Sequence, residues 1–292
     1  MSAALQRRSE ASGAEVLVAG EYPFTQDDFE TIAALLYADS GIHLDPGKVS
    51  LVYSRLAKRL RALGLRTFNE YCALVAEESG LDERRAMLAA LTTNVTRFFR
   101  EPLHFDHLRD KVLTPSLDRL RAGGRMRLWS AGCSNGQEPY SMALMLLSVL
   151  PDAADLDVRI LASDIDPNVV ATAEAGVYRE DEISAIPPQL RRNCLEREAD
   201  GRWRMTEKVR RLISFRELNL MGDWPMKGRF QAIFCRNVAI YFDEPTQARL
   251  WNRFAKMLDQ GGRLYIGHSE RAADPLLETD GLTTYRLRDA AR

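Results

Sequence analysis

Several features that would mark a specialised class of protein are absent from this sequence. Only four of its 292 residues are cysteines, and no CxxC pair occurs, which argues against a zinc knuckle and is typical of reduced thiols. Its 18 glycines and 12 prolines exclude a collagen-like chain. The longest apolar stretch, around Met142–Leu150, is far shorter than the roughly 20 residues that span a bilayer, and the first residues lack the apolar core of a signal peptide. We therefore expect a soluble cytoplasmic protein without a membrane-inserted segment.

The sequence also has almost no net charge. Its 40 basic and 41 acidic residues sum to −1, so no overall field attracts nucleic acid or a membrane surface. This balance conceals one basic segment, residues 48–66, which has no acidic residue. Its six basic residues are Lys48, Arg55, Lys58, Arg59, Arg61 and Arg66. Such a run is most often a solvated helix face, so charge alone does not identify a partner.

The apolar pattern predicts two domains joined by a connector. Residues 1–20 are small and polar and predict a flexible tail. Residues 21–91 repeat apolar side chains at helical spacing and predict a small all-helical domain. In this domain Thr25 is the expected N-cap of the first helix, and Gly64 is expected to end the second. Residues 92–124 form the predicted connector.

Residues 125–292 change to strands that alternate with helices, which predicts a mainly parallel α/β sheet with helices on both faces. Buried strands are predicted at residues 127–131, 158–163, 230–235 and 263–267. Residues 179–216 interrupt the alternation and are dense in charge, so we expect a small antiparallel β insertion there.

The turns after the predicted strands indicate the chemistry of a ligand. The turn from Gly132 to Gly136 is not GxGxxG, which disfavours a nicotinamide dehydrogenase. Glu138 at the start of the next helix repels phosphate, and Asp164 at the end of the second strand suits a ribose hydroxyl pair. Read alone, Glu138 could equally complement a helix dipole and Asp164 could cap a helix. Together they favour a nucleoside with positive charge, and S-adenosylmethionine fits.

Five sequence motifs occur in an order that strongly resembles the CheR-type chemotaxis protein-glutamate methyltransferases, over about residues 22–290. These motifs are Thr92-Thr-Asn-Val-Thr-Arg-Phe-Phe-Arg-Glu101, Ser134-Asn-Gly-Gln-Glu-Pro-Tyr-Ser141, Ala162-Ser-Asp-Ile-Asp166, Phe234-Cys-Arg-Asn-Val-Ala-Ile-Tyr-Phe-Asp243 and Gly267-His-Ser-Glu270. The family usually has Glu where Gln137 stands, but the cofactor contact falls on the following residue. The resemblance implies a Rossmann-like class I methyltransferase domain with a small antiparallel β insertion, preceded by the helical domain.

The resemblance also implies which residues form the site. The expected contacts to S-adenosylmethionine are Asn94, Thr96, Arg100, Glu138, Asp164, Asn219, Leu220, Arg236 and Asn237. A glutamate carboxylate is already ionised near neutral pH, so the enzyme has to align it without a general base. Tyr241 or Arg236 could orient that carboxylate. Tyr241 is the better candidate, although it could equally be a packed aromatic.

The implied substrate is the cytoplasmic helical region of a chemoreceptor, which carries clustered glutamates. The basic segment could bind such an acidic surface, with Lys48, Arg55, Lys58 and Arg59 as candidate substrate-binding residues. We expect a monomer recruited to receptor arrays, with no nucleic-acid partner and no metal. Two alternatives remain open: a methyltransferase acting on another substrate, such as RNA or a small molecule, and a non-catalytic cofactor-binding regulator.

Overall fold

The computed structural model describes residues 15–288, which form two compact units. One unit contains the described residues up to Asp39 together with His43–Leu91, and the other contains Ser40–Ile42 and the described residues from Thr92 onward. Most of the predicted tail, residues 1–14, lies outside the described residues. The rest of it differs from the prediction, because Val16–Ala19 forms a strand.

The first unit is helical apart from one short hairpin. Its secondary structure comprises β1 (Val16–Ala19), β2 (Pro23–Thr25), α1 (Gln26–Ser40), the 3₁₀ helix Pro46–Lys48, α2 (Val49–Leu63), α3 (Phe68–Ala76), the 3₁₀ helix Glu78–Gly80 and α4 (Leu81–Leu91). Strands β1 and β2 pair antiparallel. The side chain of Thr25 accepts a hydrogen bond from the backbone N–H of Asp28, as expected for an N-cap. Gly64 ends α2 with φ of 70°, a conformation that glycine adopts without strain.

A buried carboxylate joins three helices of this unit. Glu83 of α4 is 9% exposed and accepts two hydrogen bonds from Arg59 of α2, at 2.9 and 2.5 Å. The hydroxyl of Tyr71, on α3, donates to the same carboxylate at 2.9 Å. A buried charge must be paired and hydrogen-bonded to be tolerated, and Glu83 meets both conditions. Arg59 is therefore part of the folded core of this unit.

The second unit is built on a seven-stranded sheet in the order β11-β12-β10-β9-β3-β4-β8. The five strands from β10 to β8 are parallel, whereas β12 runs antiparallel to both of its neighbours. The sheet strands are β3 (Met126–Ala131), β4 (Val158–Asp164), β8 (Ile213–Glu217), β9 (Phe230–Cys235), β10 (Leu258–Ile266), β11 (Leu277–Gly281) and β12 (Thr284–Leu287).

Side chains that alternate along the strands build two cores, one on each face of this sheet. On β3, Leu128 belongs to one core while Trp129 and Ala131 belong to the other. The helices are α5 (Pro102–Leu108), α6 (Leu117–Arg121), α7 (Gln137–Val149), α8 (Pro167–Ala175), α9 (Pro188–Cys194), α10 (Glu207–Arg210) and α11 (Glu244–Met257). Helix α7 contributes to the first core and α11 to the second, so the predicted sheet with helices on both faces is confirmed.

The antiparallel insertion exists but is shorter than predicted. Its three strands, in the order β5-β7-β6, are β5 (Val177–Tyr178), β6 (Leu195–Arg197) and β7 (Trp203–Met205). We placed its end near residue 216, whereas β8 pairs parallel with β4 in the main sheet. The reason is burial: Ile213 and Phe215 alternate along β8 and pack into a core of the main sheet.

No helix among residues 15–288 combines the length and the apolar character that a membrane span requires.

The contacts of Arg59 predict the effect of its removal on stability. Arg59→Met should lower the free energy of unfolding of this unit by about 2–4 kcal/mol, because it leaves the buried Glu83 carboxylate without its cation. Lys58→Met is the matched control, since Lys58 is exposed on the same helix and should change stability by less than about 0.5 kcal/mol. Urea unfolding followed by far-UV circular dichroism measures both. Equal effects of the two variants would contradict this role of Arg59.

Candidate functional site

The site is built where the order of the parallel strands reverses, at the carboxyl ends of β3, β4 and β9. In such sheets, ligands bind at this switch point. The turn that follows β3 begins at Gly132, which has φ of 84°. A Cβ atom there would lie 2.4 Å from Val238, so only glycine lets this turn approach the segment after β9.

Asp164 ends β4 and ties two of the turns together. Its carboxylate accepts hydrogen bonds from the backbone N–H of Ser134, at 2.8 Å, and of Asp166, at 3.1 Å. Burial raises the pKa of Asp164, while these two N–H groups oppose the rise. Asp164 itself does not cap α8. The cap is Asp166, whose side chain accepts a hydrogen bond from the N–H of Asn168. Asp164 is thus left with acceptor capacity for a ligand.

The connector lies against the same turns. The side-chain amide of Asn94 donates to Asp166 at 3.2 Å, and the carbonyl of Asn94 accepts from the Ser134 hydroxyl at 3.0 Å. Arg100 is half-buried, donates to the carbonyl of Val95, and forms no ion pair within residues 15–288. Its guanidinium therefore remains available to an anionic group. Thr96, between these residues, is half-buried.

Arg236, the first residue after β9, is held between two carboxylates. Its side chain is 2% exposed and forms ion pairs with Glu138 at 3.1 Å and with Glu101 at 3.0 Å. It also donates to the backbone carbonyl of Arg100 at 2.5 Å. The Glu138 carboxylate accepts in addition from the Ser130 hydroxyl, at 2.8 Å. This buried ion cluster joins the connector, α7 and β9.

The two carboxylates of this cluster differ in their proton affinity. Burial raises the pKa of Glu138, although Arg236 and Ser130 oppose the rise. Burial would also raise the pKa of Glu101, but the charge and hydrogen bond of Arg236 and the contact with His268 outweigh it and lower the pKa to about 2. Glu101 therefore stays ionised and is the counter-ion of Arg236.

Glu101 belongs to this buried ion cluster, although the sequence did not single it out as a site residue. It ends the first family motif, next to the arginine we selected, and it has φ of 55°, which is rare for a residue other than glycine. Its backbone turns the chain into α5, and its side chain reaches Arg236 and, at 3.0 Å, His268. The signal in the sequence was the acidic residue itself, but its partner lies 135 residues away.

Two polar atoms on the consecutive residues that follow β9 are buried without a hydrogen-bond partner among the described residues: Nε of Arg236 and Oδ1 of Asn237. Asn237 has φ of 60°. Gly267 leaves room for its side chain, since a Cβ on Gly267 would lie 2.5 Å from the side-chain nitrogen Nδ2 of Asn237. Native proteins rarely bury such groups unpaired. An unpaired donor and an unpaired acceptor on consecutive residues suit a ligand that carries both a carboxylate and an ammonium group.

Asn219, Leu220 and Tyr241 lie on the segments that follow β8 and β9. Leu220 is 7% exposed and packs in the same core as Ala131 and Cys235, which brings the segment after β8 towards the switch point. Asn219 folds back on its own turn, where its side-chain oxygen accepts from the N–H of Met221 at 2.9 Å. Tyr241 ends the 3₁₀ helix Ala239–Tyr241, is half-buried, and its hydroxyl makes no hydrogen bond with residues 15–288.

The candidate substrate-binding residues lie in the helical unit and have two different environments. Arg55 donates to the carbonyls of Ala90, at 3.2 Å, and Leu91, at 2.8 Å, and so caps the end of α4, while Arg59 is paired with Glu83. Lys48 and Lys58 are exposed and form no ion pair with a described residue. Of the four candidates, Arg55 and Arg59 thus have partners within this unit, namely local carbonyls and a buried carboxylate.

The site contains no activated nucleophile of its own. Burial raises the pKa values of Cys133 and Cys235 well above the usual range, so both remain protonated thiols. Burial, together with the nearby charge of Arg236, lowers the pKa of His104 to about 4. Among residues 15–288, no group of three or more potential ligands is arranged to hold a metal ion. The arrangement is suited to binding a nucleoside and aligning a partner that is already reactive.

Comparison with known proteins agrees with this geometry. Residues 94–280 match the family profile of the CheR methyltransferase SAM-binding domain, and residues 27–92 match that of the CheR methyltransferase all-alpha domain. A probable chemotaxis protein methyltransferase of Rhizobium etli is 55% identical over 86% of this chain and 96% of that protein. Chemotaxis protein methyltransferase 2 of Pseudomonas aeruginosa is 42% identical over 91% of this chain and 94% of its own length.

The two profiles together span most of the chain, and both relatives are matched over nearly their whole length. The residues at the switch point, with their buried acidic groups and their unpaired donor and acceptor, lie within the part that matches the SAM-binding profile. S-adenosylmethionine is therefore the cofactor of the larger unit. The chain belongs to the CheR methyltransferase family, whose members methylate proteins in chemotaxis.

Proposed function

We propose that this protein transfers a methyl group from S-adenosylmethionine to glutamate side chains on the cytoplasmic helices of chemoreceptors, forming methyl esters at receptor arrays. The observation that carries the proposal is the orphaned pair at the end of β9, Arg236 Nε and Asn237 Oδ1. These atoms match the carboxylate and the ammonium group of the methionyl part of the cofactor. Membership of the CheR family supports the chemotaxis substrate.

The remaining site residues fit the rest of the cofactor. We assign the ribose hydroxyls to Asp164, because each of its oxygens accepts one backbone hydrogen bond and retains a lone pair. We assign Asn219 and Leu220 to the adenosine, and Asn94, Thr96 and Arg100 to the cofactor side that faces the connector. Glu138, which holds Arg236, would supply negative charge to the positively charged cofactor.

The chemistry needs alignment more than it needs a base. When bound, S-adenosylmethionine supplies a methyl group on a positively charged sulfur, and its transfer to a carboxylate oxygen leaves a methyl ester and S-adenosylhomocysteine. A glutamate carboxylate, with a pKa of about 4.3, is already ionised at neutral pH. The protein has to exclude water from the carboxylate and hold one of its oxygens in line with the methyl group.

We assign that alignment to Tyr241. Its hydroxyl has no hydrogen-bond partner within residues 15–288, and it lies four residues after Asn237. A phenol that donates to one carboxylate oxygen leaves the other oxygen free to attack. Arg236, our other candidate, is committed through both of its terminal nitrogens to Glu138, Glu101 and a backbone carbonyl. We therefore assign Arg236 to the cofactor and not to the substrate.

The exposed part of the basic segment is the proposed receptor-binding surface. Lys58 lies on the exposed side of α2, with Lys48 at the start of the same helix. An acidic receptor helix would find these two ammonium groups unpaired, unlike the guanidinium groups of Arg55 and Arg59. Complementary charge at such a surface mainly raises the rate of association and selects the partner.

The product identifies the reaction. Incubation with labelled S-adenosylmethionine and a receptor helical fragment should place the label on glutamates as a methyl ester, which mild alkali releases as methanol. A fragment with these glutamates changed to glutamine should take up no label. Alkali-stable label, or label in RNA, would support the alternative of a different substrate. Cofactor binding without transfer to any acceptor would support a non-catalytic regulator.

Tyr241→Phe tests the alignment. We expect turnover on receptor to fall about 10- to 100-fold, because a hydrogen bond to a charged group is lost, while affinity for S-adenosylhomocysteine stays within about twofold. Steady-state kinetics and calorimetry measure the two quantities. Tyr285→Phe is the control, since Tyr285 packs in the core beside β10 and lies in no part of the proposed cleft. Wild-type turnover in Tyr241→Phe would remove Tyr241 from the mechanism.

Lys58→Glu tests the receptor-binding surface. We expect kcat/KM for receptor to fall about three- to tenfold at low salt, with weaker salt dependence and unchanged cofactor affinity. Lys256→Glu is the matched control, because it reverses one exposed charge on a helix of the other unit. The surface is assigned wrongly if both variants lose the same activity, or if neither loses any.

A further inference from the structure

Glu270 is a buried carboxylate whose partners are all backbone N–H groups. It is 7% exposed and lies four residues after β10 ends. One oxygen accepts from Val238 at 2.9 Å and from Ile240 at 3.2 Å. The other accepts from Asn237 at 2.9 Å and from Gly267 at 2.5 Å. Within residues 15–288, no basic side chain forms an ion pair with Glu270.

These four hydrogen bonds define the path of one loop. Three of the donors belong to the loop from Arg236 to Tyr241, which includes Asn237 with its φ of 60°. The fourth donor is Gly267, which the loop approaches so closely that a Cβ there would lie 2.8 Å from the backbone nitrogen of Asn237. A non-glycine residue at positive φ costs energy and persists only where its surroundings hold it. The carboxylate of Glu270 supplies that restraint.

We propose that Glu270 is a positioning residue for methyl transfer, whose carboxylate holds the loop from Arg236 to Tyr241 so that Asn237 faces the cofactor and Tyr241 faces the substrate carboxylate. The inference rests on the proposed function, because it uses the roles given there to Asn237 and Tyr241. Neither residue is held by its own polar side chain: Oδ1 of Asn237 and the hydroxyl of Tyr241 have no partner within residues 15–288. Their placement therefore depends on the backbone that carries them.

Glu270→Gln is the direct test, because it keeps the shape and changes the hydrogen bonding. The pocket of Glu270 offers four N–H donors, and each oxygen accepts two of them. In either orientation of the amide, its NH₂ group faces two N–H donors. We expect turnover on receptor to fall about 30- to 100-fold, since a misplacement of about 1 Å has effects of this size. Affinity for S-adenosylhomocysteine should fall less than about fivefold.

A structural role alone predicts a different pattern. Asp274→Asn is the matched control: Asp274 follows in the same segment and accepts from the N–H of Leu276 and the amide of Asn252. It should lower the melting temperature without lowering turnover. In addition, Glu270→Gln should reduce turnover by less than about threefold in a Tyr241→Phe background, because its effect on turnover acts mainly through Tyr241, whereas displacement of Asn237 acts on cofactor affinity.

Two further measurements decide the case where Glu270→Gln folds poorly or the wild type is inactive on receptor. Gly267→Ala keeps the carboxylate and all four donors but puts a methyl group against Asn237, so it should reproduce the loss of turnover. Hydrogen exchange of a peptide covering residues 236–242 should speed up in Glu270→Gln and stay unchanged in Asp274→Asn.

The outcomes separate this inference from the proposed function. Wild-type transfer to receptor glutamates together with full turnover of Glu270→Gln, or of Gly267→Ala, overturns the positioning role alone. No transfer by the wild type overturns the proposed function, and the exchange measurement then still tests the restraint. Unchanged exchange of residues 236–242 in Glu270→Gln overturns the inference in every case.

Discussion

The buried guanidinium of Arg236 is the constraint on which the larger unit depends. A charge that is 2% exposed is tolerated only when counter-ions and hydrogen bonds replace its water. Glu138 comes from the first helix after β3, and Glu101 comes from the connector. One cation thus requires three distant parts of the chain to meet at the switch point. The proposed cofactor site is the place where these parts leave one donor of Arg236 unpaired.

Glu270 is also a buried charge, but its charge is compensated in a different way. Glu101 and Glu138 are compensated by a cation, whereas Glu270 is compensated by four backbone N–H groups. A cation fixes a side chain, but a ring of N–H groups fixes the backbone that supplies them. The two arrangements flank the same loop, so Arg236 is anchored at the start of the loop and its backbone is held along the rest. An enzyme that works by alignment needs the residues of such a loop to be held rigidly.

Local rules in the sequence were enough for much of the fold. A short apolar run predicted β9 at Phe230–Cys235, and the Thr25 cap and the Gly64 end followed from side-chain chemistry within a few residues. The sequence could not show the strand Val16–Ala19, because four residues gain order only through pairing with β2. Nor could it assign β8 to the main sheet, since the register with β4 is a contact between segments about 50 residues apart.

The site shows the same contrast between what local sequence indicates and what depends on contacts between distant segments. Motif order selected the proposed cofactor residues, whereas charge pattern alone did not show that Arg55 and Arg59 have partners on α4, 24 to 36 residues away in sequence. A run of basic residues in the sequence shows where the cationic side chains are. Only the folded structure shows which of them are already paired with carboxylates or carbonyls of the same unit. The same reasoning explains why Glu101 and Glu270 were overlooked. Glu101 acts on Arg236 only once the connector lies against the end of β9, and Glu270 acts on the loop after β9 only once β9 and β10 lie side by side.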